Sequence, residues 1–282
     1  MSSRPSTTGD TYRIVSFPRS RLATVDVGRY GAKRHSMLGL VEVDVTDGRH
    51  ALRRLRLQGV EVSFTAWVIK CIGDCVARNP EAHAMRLGRR RLVLFEGVDV
   101  ALPVERRIEG KDVPLPLLIR SVDSKSMAQI DREIKEALRH SISTERDFIL
   151  SEHGFGQGAM KLYYSLPAFI RVGIWKGIFG NPFRAKKHSG TVMVTTVNAA
   201  GPFSAWIVPT RAMHGLSFAI GTVTKKAWIH EGTVQPREIM NLTVSLDHDV
   251  IDGAPARRFI QDLVTDLERG DVGSECPAAS PP

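Results

Sequence analysis

Three observations predict an α/β protein with a mixed sheet flanked by helices in a single domain. Leu40 to Val45 alternates, with Val41, Val43 and Val45 on one side and Glu42 and Asp44 on the other, the signature of a half-buried strand. Ser63 to Pro80 is a strongly apolar run with a serine at its start and a proline at its end, which predicts a capped, buried helix. Ile239 to Val250 then reads as a strand, followed directly by a turn and a helix that runs to Leu267. Strands and helices interspersed in this way belong to layered α/β architectures.

Between these landmarks the remaining elements follow in order. A basic helix is expected from about Gly48 to Leu57. Arg91 to Phe95 and Val98 to Pro103 read as two strands separated by Glu96-Gly97. Ser124 to His140 carries Met127, Ile130, Ile134 and Leu138 at helical spacing, a stripe that a core would bury. The stretch 150 to 188 is aromatic and aliphatic and ends in a basic cluster. It reads as a helix covering the core, or as a surface touching a membrane or a partner. Thr191 to Val197 and Leu216 to Thr224 are strand-like. The closing helix, about Ala254 to Leu267, has Pro255 in its first turn and Gly270 as its stop. Residues 1 to 12 and 271 to 282 are expected to be disordered ends around a domain spanning 13 to 270.

Composition narrows the function classes. With 43% hydrophobic and 24% charged residues, the 282-residue chain has the balance of a globular protein. A net charge of +9 favours anionic partners. No nucleic-acid-binding motif surrounds the basic clusters at Arg89 to Arg91, Arg106-Arg107 and Arg184 to His188, so no nucleic acid is expected. A phosphate-bearing small molecule fits the charge equally well. Cys71, Cys75 and Cys276 form neither a disulfide framework nor a zinc pattern, so no metal is expected and a reducing, cytoplasmic setting is. Met1 to Asp10 is polar, so no signal peptide is expected, and no stretch of 18 apolar residues occurs, so no transmembrane helix is expected.

The chemistry concentrates in Asp247-His248-Asp249-Val250-Ile251-Asp252-Gly253. Leu242, Val244 and Leu246 alternate with Asn241, Thr243 and Ser245. A strand continuing in that pattern puts His248 on the apolar side, partly desolvated and neutral, as a general base must be. Asp252 stands at the turn marked by Gly253, where its carboxylate can accept backbone N–H groups or hold an arginine. The bland alternative is a core histidine followed by a helix-capping aspartate.

The segment Leu242 to Phe259 resembles the signature strand, turn and helix of the catalytic domain of dihydrolipoamide acyltransferases, the core subunits of 2-oxoacid dehydrogenase complexes. Their wider superfamily includes chloramphenicol acetyltransferase. Ser189 to Val197 resembles the family's earlier strand, which carries a catalytic serine or threonine. Pro18-Arg-Ser-Arg21 is similar to its opening motif, and Ser63 to Pro80 to its long apolar helix. The resemblance implies a chloramphenicol acetyltransferase-like fold. His248 would be the base, and Thr195 the hydroxyl that stabilises the tetrahedral oxyanion, with Thr196 in its place should the register shift by one. It also implies that Asp252 is held by Arg21 or Arg19, and that the site lies between subunits of a homotrimer using coenzyme A or acyl-CoA as substrate.

The chain departs from the family in several places. Asp249 replaces the usual arginine after the histidine, and a carboxylate close to His248 would raise its pKa. Asn198-Ala-Ala-Gly201 replaces the glycine-rich turn, and residues 150 to 188 are unusually apolar. No lipoyl-lysine motif precedes residue 13, so no lipoyl group is expected on this chain. An acyl group would come from a lipoyl domain on another chain or from a different donor. The leading expectation is acyl transfer between CoA and a thiol. The alternatives are O- or N-acyl transfer to a small molecule, and a non-catalytic trimeric scaffold. Contact of residues 160 to 180 with a membrane stays open beside these.

Overall fold

The structure, a computed structural model, describes residues 12–17, 20–108, 111–139, 162–196, 203–209 and 213–272. Six strands form one mixed sheet in the order β1-β8-β7-β6-β4-β5. They are β1 (Ser36–Asp44), β4 (Val100–Ile108), β5 (Lys111–Ile119), β6 (Val192–Thr196), β7 (Leu216–His230) and β8 (Thr233–Asp247). β7 and β8 make a long antiparallel hairpin at the centre, and β1 adds antiparallel to β8 with Ser36 opposite Asp247. β6 runs parallel to both β7 and β4, and β5 closes the far edge antiparallel to β4. A separate two-stranded ribbon pairs β2 (Met85–Leu87) with β3 (Arg91–Val93). The expected mixed sheet with flanking helices is therefore found.

Alternation along the strands decides which side the helices cover. Val43, Val192, Val194, Phe218, Leu242, Val244 and Leu246 all lie in one buried cluster. Packed onto it are α2 (Thr46–Leu57), α3 (Phe64–Arg78), α4 (Met127–Arg139) and α7 (Gly253–Arg269). Trp67 of α3 and Phe259 of α7 are almost completely buried, each removing enough apolar surface to contribute about 2–3 kcal/mol. The Ser63 hydroxyl accepts the Ala66 N–H at 3.2 Å, the N-cap expected of it. Trp67 donates its indole N–H to the Asp271 carbonyl at 2.9 Å, tying α3 to the residue that follows α7.

Helices α1 (Ser20–Gly31), α5 (Ala168–Phe179) and α6 (Pro182–Ser189) form a second, smaller cluster around Ala23, Trp175, Phe179 and Ala185. A buried polar network pins α5 to α1. Arg171 Nε donates to Asp26 Oδ2 at 2.6 Å, and Tyr163 donates its hydroxyl to the same oxygen at 2.9 Å. Trp175 in turn donates to the Tyr163 oxygen at 2.9 Å. Within the described part of this stretch, the helix buries one side against α1 and the small cluster. Arg171, Trp175 and Phe179 face inward, while Phe169 is 76% exposed.

Several elements differ from the sequence reading. β1 starts at Ser36 rather than Leu40, and β8 ends at Asp247 rather than Val250. The strands expected at Arg91–Phe95 and Val98–Pro103 are not partners; β3 pairs with β2, and β4 with β5 and β6. β5 escaped notice because Pro114 and Pro116 mask its pattern, and an edge strand is where proline is tolerated. The expectations for residues 1 to 11, for 273 to 282 including Cys276, and for 140 to 161 lie outside the described residues, as do Pro18, Arg19 and the turn Asn198–Gly201.

Gly270 ends α7 in the left-handed conformation, φ +65°, and an added Cβ would stand 2.4 Å from the Gly48 nitrogen. Gly270→Ala is expected to lower stability by about 1–3 kcal/mol. Gly28→Ala, inside α1 with nothing within 4 Å of the new methyl, is expected to raise it by about 0.5–1 kcal/mol. Denaturant midpoints of the two variants should therefore move in opposite directions.

Candidate active site

Strand β8 delivers the motif residues to the rim of the sheet. It stops at Asp247, and residues 248–250 form a turn before α7 begins at Gly253. His248 is consequently exposed, not sheltered on the apolar side as the extended strand pattern predicted. Its backbone N–H donates to the His35 carbonyl at 2.7 Å, which fastens the turn to the segment entering β1. Its imidazole has no hydrogen-bond or ion-pair partner among the described residues.

Asp247, the residue before it, is 7% exposed and organises the turn. Its Oδ2 accepts from Arg34 Nη1 at 2.5 Å, and its Oδ1 accepts the Asp249 N–H at 3.1 Å. Arg34 uses its second arm on the Met213 carbonyl at 2.8 Å, so one guanidinium joins three distant segments. Asp249 points elsewhere. Its Oδ1 accepts from His35 Nδ1 at 3.0 Å and its Oδ2 from Arg86 Nη1 of β2 at 3.3 Å. The His35 hydrogen bond, with the Arg86 charge behind it, holds the Asp249 carboxyl below its ordinary range. The carboxylate expected to act on His248 is thus engaged by two other side chains, and no ion pair forms between Asp249 and His248.

The remaining sequence candidates are dispersed. Asp252 occupies the N-cap of α7 with extended backbone but makes no side-chain cap hydrogen bond, and it is exposed. Arg21 is exposed on α1, and no ion pair joins it to Asp252. Thr195 and Thr196 lie on β6, opposite Ala219 and Ile220 of β7. Since Val192 and Val194 face the core, alternation puts Thr195 on the other side of the sheet and Thr196 on the core side.

The register measures how far Thr195 is from His248. Val192, Leu216 and Leu246 stand abreast on β6, β7 and β8. Thr195 lies three residues from that line in one direction and His248 two residues in the other. At about 3.3 Å per residue and 4.8 Å per strand, the two are on the order of 20 Å apart within one chain. One chain does not bring them into contact.

Arg34, His35 and Asp247 were not singled out from the sequence. Arg34 and His35 sit in a short aperiodic link between α1 and β1, where nothing signals a partner more than 200 residues away. Asp247 had a signal, since alternation with Ser245 places it on the polar side of β8. His214, also beside this site, is 8% exposed. It donates from Nε2 to the Ser189 carbonyl at 2.8 Å, leaving Nδ1 buried without a partner.

Residues 195–271 match the family model of the 2-oxoacid dehydrogenases acyltransferase catalytic domain. No curated protein sequence is similar enough to count as a match. Among solved structures, a probable dihydrolipoamide acetyltransferase from Listeria monocytogenes superposes with a TM-score of 0.66 at 18% identity, covering 96% of this chain and 99% of that one. The cubic core of a pyruvate dehydrogenase multienzyme complex gives 0.63 at 18% identity, covering 94% and 96%. The dihydrolipoamide acetyltransferase of Azotobacter vinelandii gives 0.64 at 16% identity, covering 93% of each chain.

Burial pushes His214 and His83 down to about 4. In the unfolded chain both titrate near 6.5, so between these values the unfolded state binds more protons and stability rises with pH. The contribution is complete above about 6.5 and is lost as pH falls toward 4. Replacing His214 with Gln is expected to flatten the acid limb of a stability-against-pH curve over that window; an unchanged slope would contradict the assignment. Residues 195–271 thus carry the catalytic-domain signature of the 2-oxoacid dehydrogenase acyltransferase family, on a chain with the fold of dihydrolipoamide acetyltransferase cores.

Proposed function

We propose that this protein is a CoA-dependent acyltransferase, with His248 as general base and its active sites formed between the chains of a homotrimer. The observation that carries the reading is the presentation of His248 at the rim of β8 inside the segment that matches an acyltransferase catalytic domain. His248 would take the proton of an acceptor thiol. The thiolate attacks the acyl thioester carbon, giving a tetrahedral intermediate whose oxyanion accepts a hydrogen bond from a threonine hydroxyl. Collapse breaks the bond to the CoA sulfur, and His248 returns the proton to the departing thiolate.

The 20 Å between Thr195 and His248 supports a site completed by a neighbouring chain. Exposed apolar residues support assembly as well: Leu38 and Leu40 on β1, with Phe203 and Val208, leave an apolar surface that a lone chain presents to water. In the Azotobacter vinelandii enzyme a serine, a histidine and an asparagine have been investigated for roles in catalysis. The asparagine there stands at the same offset from its histidine as Asp252 does from His248. The serine-to-histidine spacing equals that of Thr196 to His248 and differs by one residue for Thr195. The side of the sheet favours Thr195, because Thr196 faces the core. Arg21 or Arg19 remains the proposed partner of Asp252 once chains assemble, and Gly253 lets α7 start directly behind the turn.

The acyl acceptor is proposed to be a thiol, with a lipoyl domain on another chain as its source. Among the described residues no cluster fit for a metal occurs and no helix is long and apolar enough to cross a membrane.

Incubation with short acyl-CoAs and dihydrolipoamide should release CoA thiol, and His248→Ala should lower kcat by about 10²–10⁴-fold with an unchanged fold. Undiminished turnover would remove His248 from the mechanism. Thr195→Ala should lower kcat by about 10²-fold, and Thr196→Ala should leave it within a few-fold; the reverse order would transfer the role to Thr196.

A further inference from the structure

A second imidazole stands beside His248. His35 immediately precedes β1, where Ser36 pairs with Asp247 of β8. The His248 N–H donates to the His35 carbonyl at 2.7 Å, so the antiparallel register runs on for one more pair. That sets His35 opposite His248, with Cα atoms about 5 Å apart. Both side chains are exposed, His35 at 77%.

The two rings differ in how they are held. His248 has no side-chain partner among the described residues, whereas His35 Nδ1 lies 3.0 Å from Asp249 Oδ1. Asp249 is itself fixed from two further directions. Arg86 of β2 donates to its Oδ2 at 3.3 Å, and its own N–H donates to Asp247 Oδ1 at 3.1 Å. His35 and Arg86 both favour the ionised carboxylate, which only accepts hydrogen bonds. Nδ1 must therefore carry the hydrogen, and Nε2 is left as the acceptor of the ring. Nε2 has no partner among the described residues. As an ion pair at the surface, the contact adds little to stability. As a carboxylate on Nδ1 with the far nitrogen open, it is the arrangement that orients an imidazole for proton abstraction and stabilises the imidazolium that forms.

We propose that His35, oriented by Asp249, is a second general base of this site. Its Nε2 takes the proton of an acceptor thiol bound beside His248. The sulfur forms its bond to the acyl carbon, the bond to the CoA sulfur breaks, and the proton passes from Nε2 to the departing thiolate. Asp249 stays ionised throughout. The proposal rests on the acyltransferase reading above and adds a catalytic residue to it. His248 is the faster path, and His35 carries the turnover that persists without it. Arg86 becomes a positioning residue, acting through Asp249.

The test uses His35→Asn. Asparagine keeps an amide that can donate to Asp249 but has no ring nitrogen to take a proton. The turn keeps its anchor, since the His35 backbone holds His248. In the His248→Ala background, with acyl-CoA and dihydrolipoamide over long incubations, His35→Asn is expected to lower the residual kcat by at least about tenfold. Asp249→Asn in the same background should lower it too, because an amide no longer fixes the tautomer. Added imidazole should restore part of the rate lost to His35→Asn; loss without rescue would show that the ring only shapes the turn, and would overturn the proposal. A residual rate unchanged by His35→Asn, or a His248→Ala rate no higher than the uncatalysed reaction, would also overturn it and leave the acyltransferase reading intact. Full activity in His248→Ala, abolished by adding His35→Asn, would instead overturn the role of His248 and keep that of His35. A wild-type protein that transfers no acyl group would overturn both.

Discussion

The ion pair between Arg34 and Asp247 is the constraint on which the candidate site depends. It lies where the start of β1, the loop before β7 and the end of β8 meet, and it is largely withdrawn from water. Removing one partner would leave the other charge half-buried and uncompensated, which costs about 1–3 kcal/mol in such settings. It also fixes direction. Asp247 accepts the Asp249 N–H, and His248 is bonded through its backbone to His35, so the turn has little freedom to reorient the imidazole. The turn is held by its neighbours' contacts while the His248 side chain stays exposed.

The second consequence comes from strand register. β6, β7 and β8 are laid side by side so that the threonines of β6 and the histidine after β8 are offset by about five residues along the strands and by two strand spacings across them. Nothing in a packed sheet can close a gap of that order, because the register of a strand buried on one side is tightly specified. A lone chain therefore keeps Thr195 and His248 apart. Exposed His248, exposed Asp252 and the apolar surface around Leu38 and Leu40 fit a subunit that is finished by its neighbours.

Much of this was legible in the sequence, for physical reasons that differ by element. The β8 alternation, the capped run at Ser63 and the Gly270 stop are local signals, and each appears in the fold as read. Strand β5 was not legible, because prolines hide an edge strand. Helix α1 was not legible either, lying in a stretch with little apolar periodicity. The Arg34 contact escaped because an ion pair between residues far apart in the chain leaves no periodic trace. The misplacement of His248 has a single cause. The alternating pattern was extended beyond Asp247, where the chain leaves the sheet and turns.

The central claim, that one chain supplies the histidine and another the threonine, is tested most directly by mixing two inactive variants. His248→Ala and Thr195→Ala chains, unfolded and reassembled together in equal amounts, would form trimers of random composition under the proposed assembly. In such trimers about one quarter of the sites join an intact His248 to an intact Thr195 across an interface. Recovery of roughly a quarter of the wild-type rate is the predicted result. Mixed trimers as inactive as their parents would contradict the account.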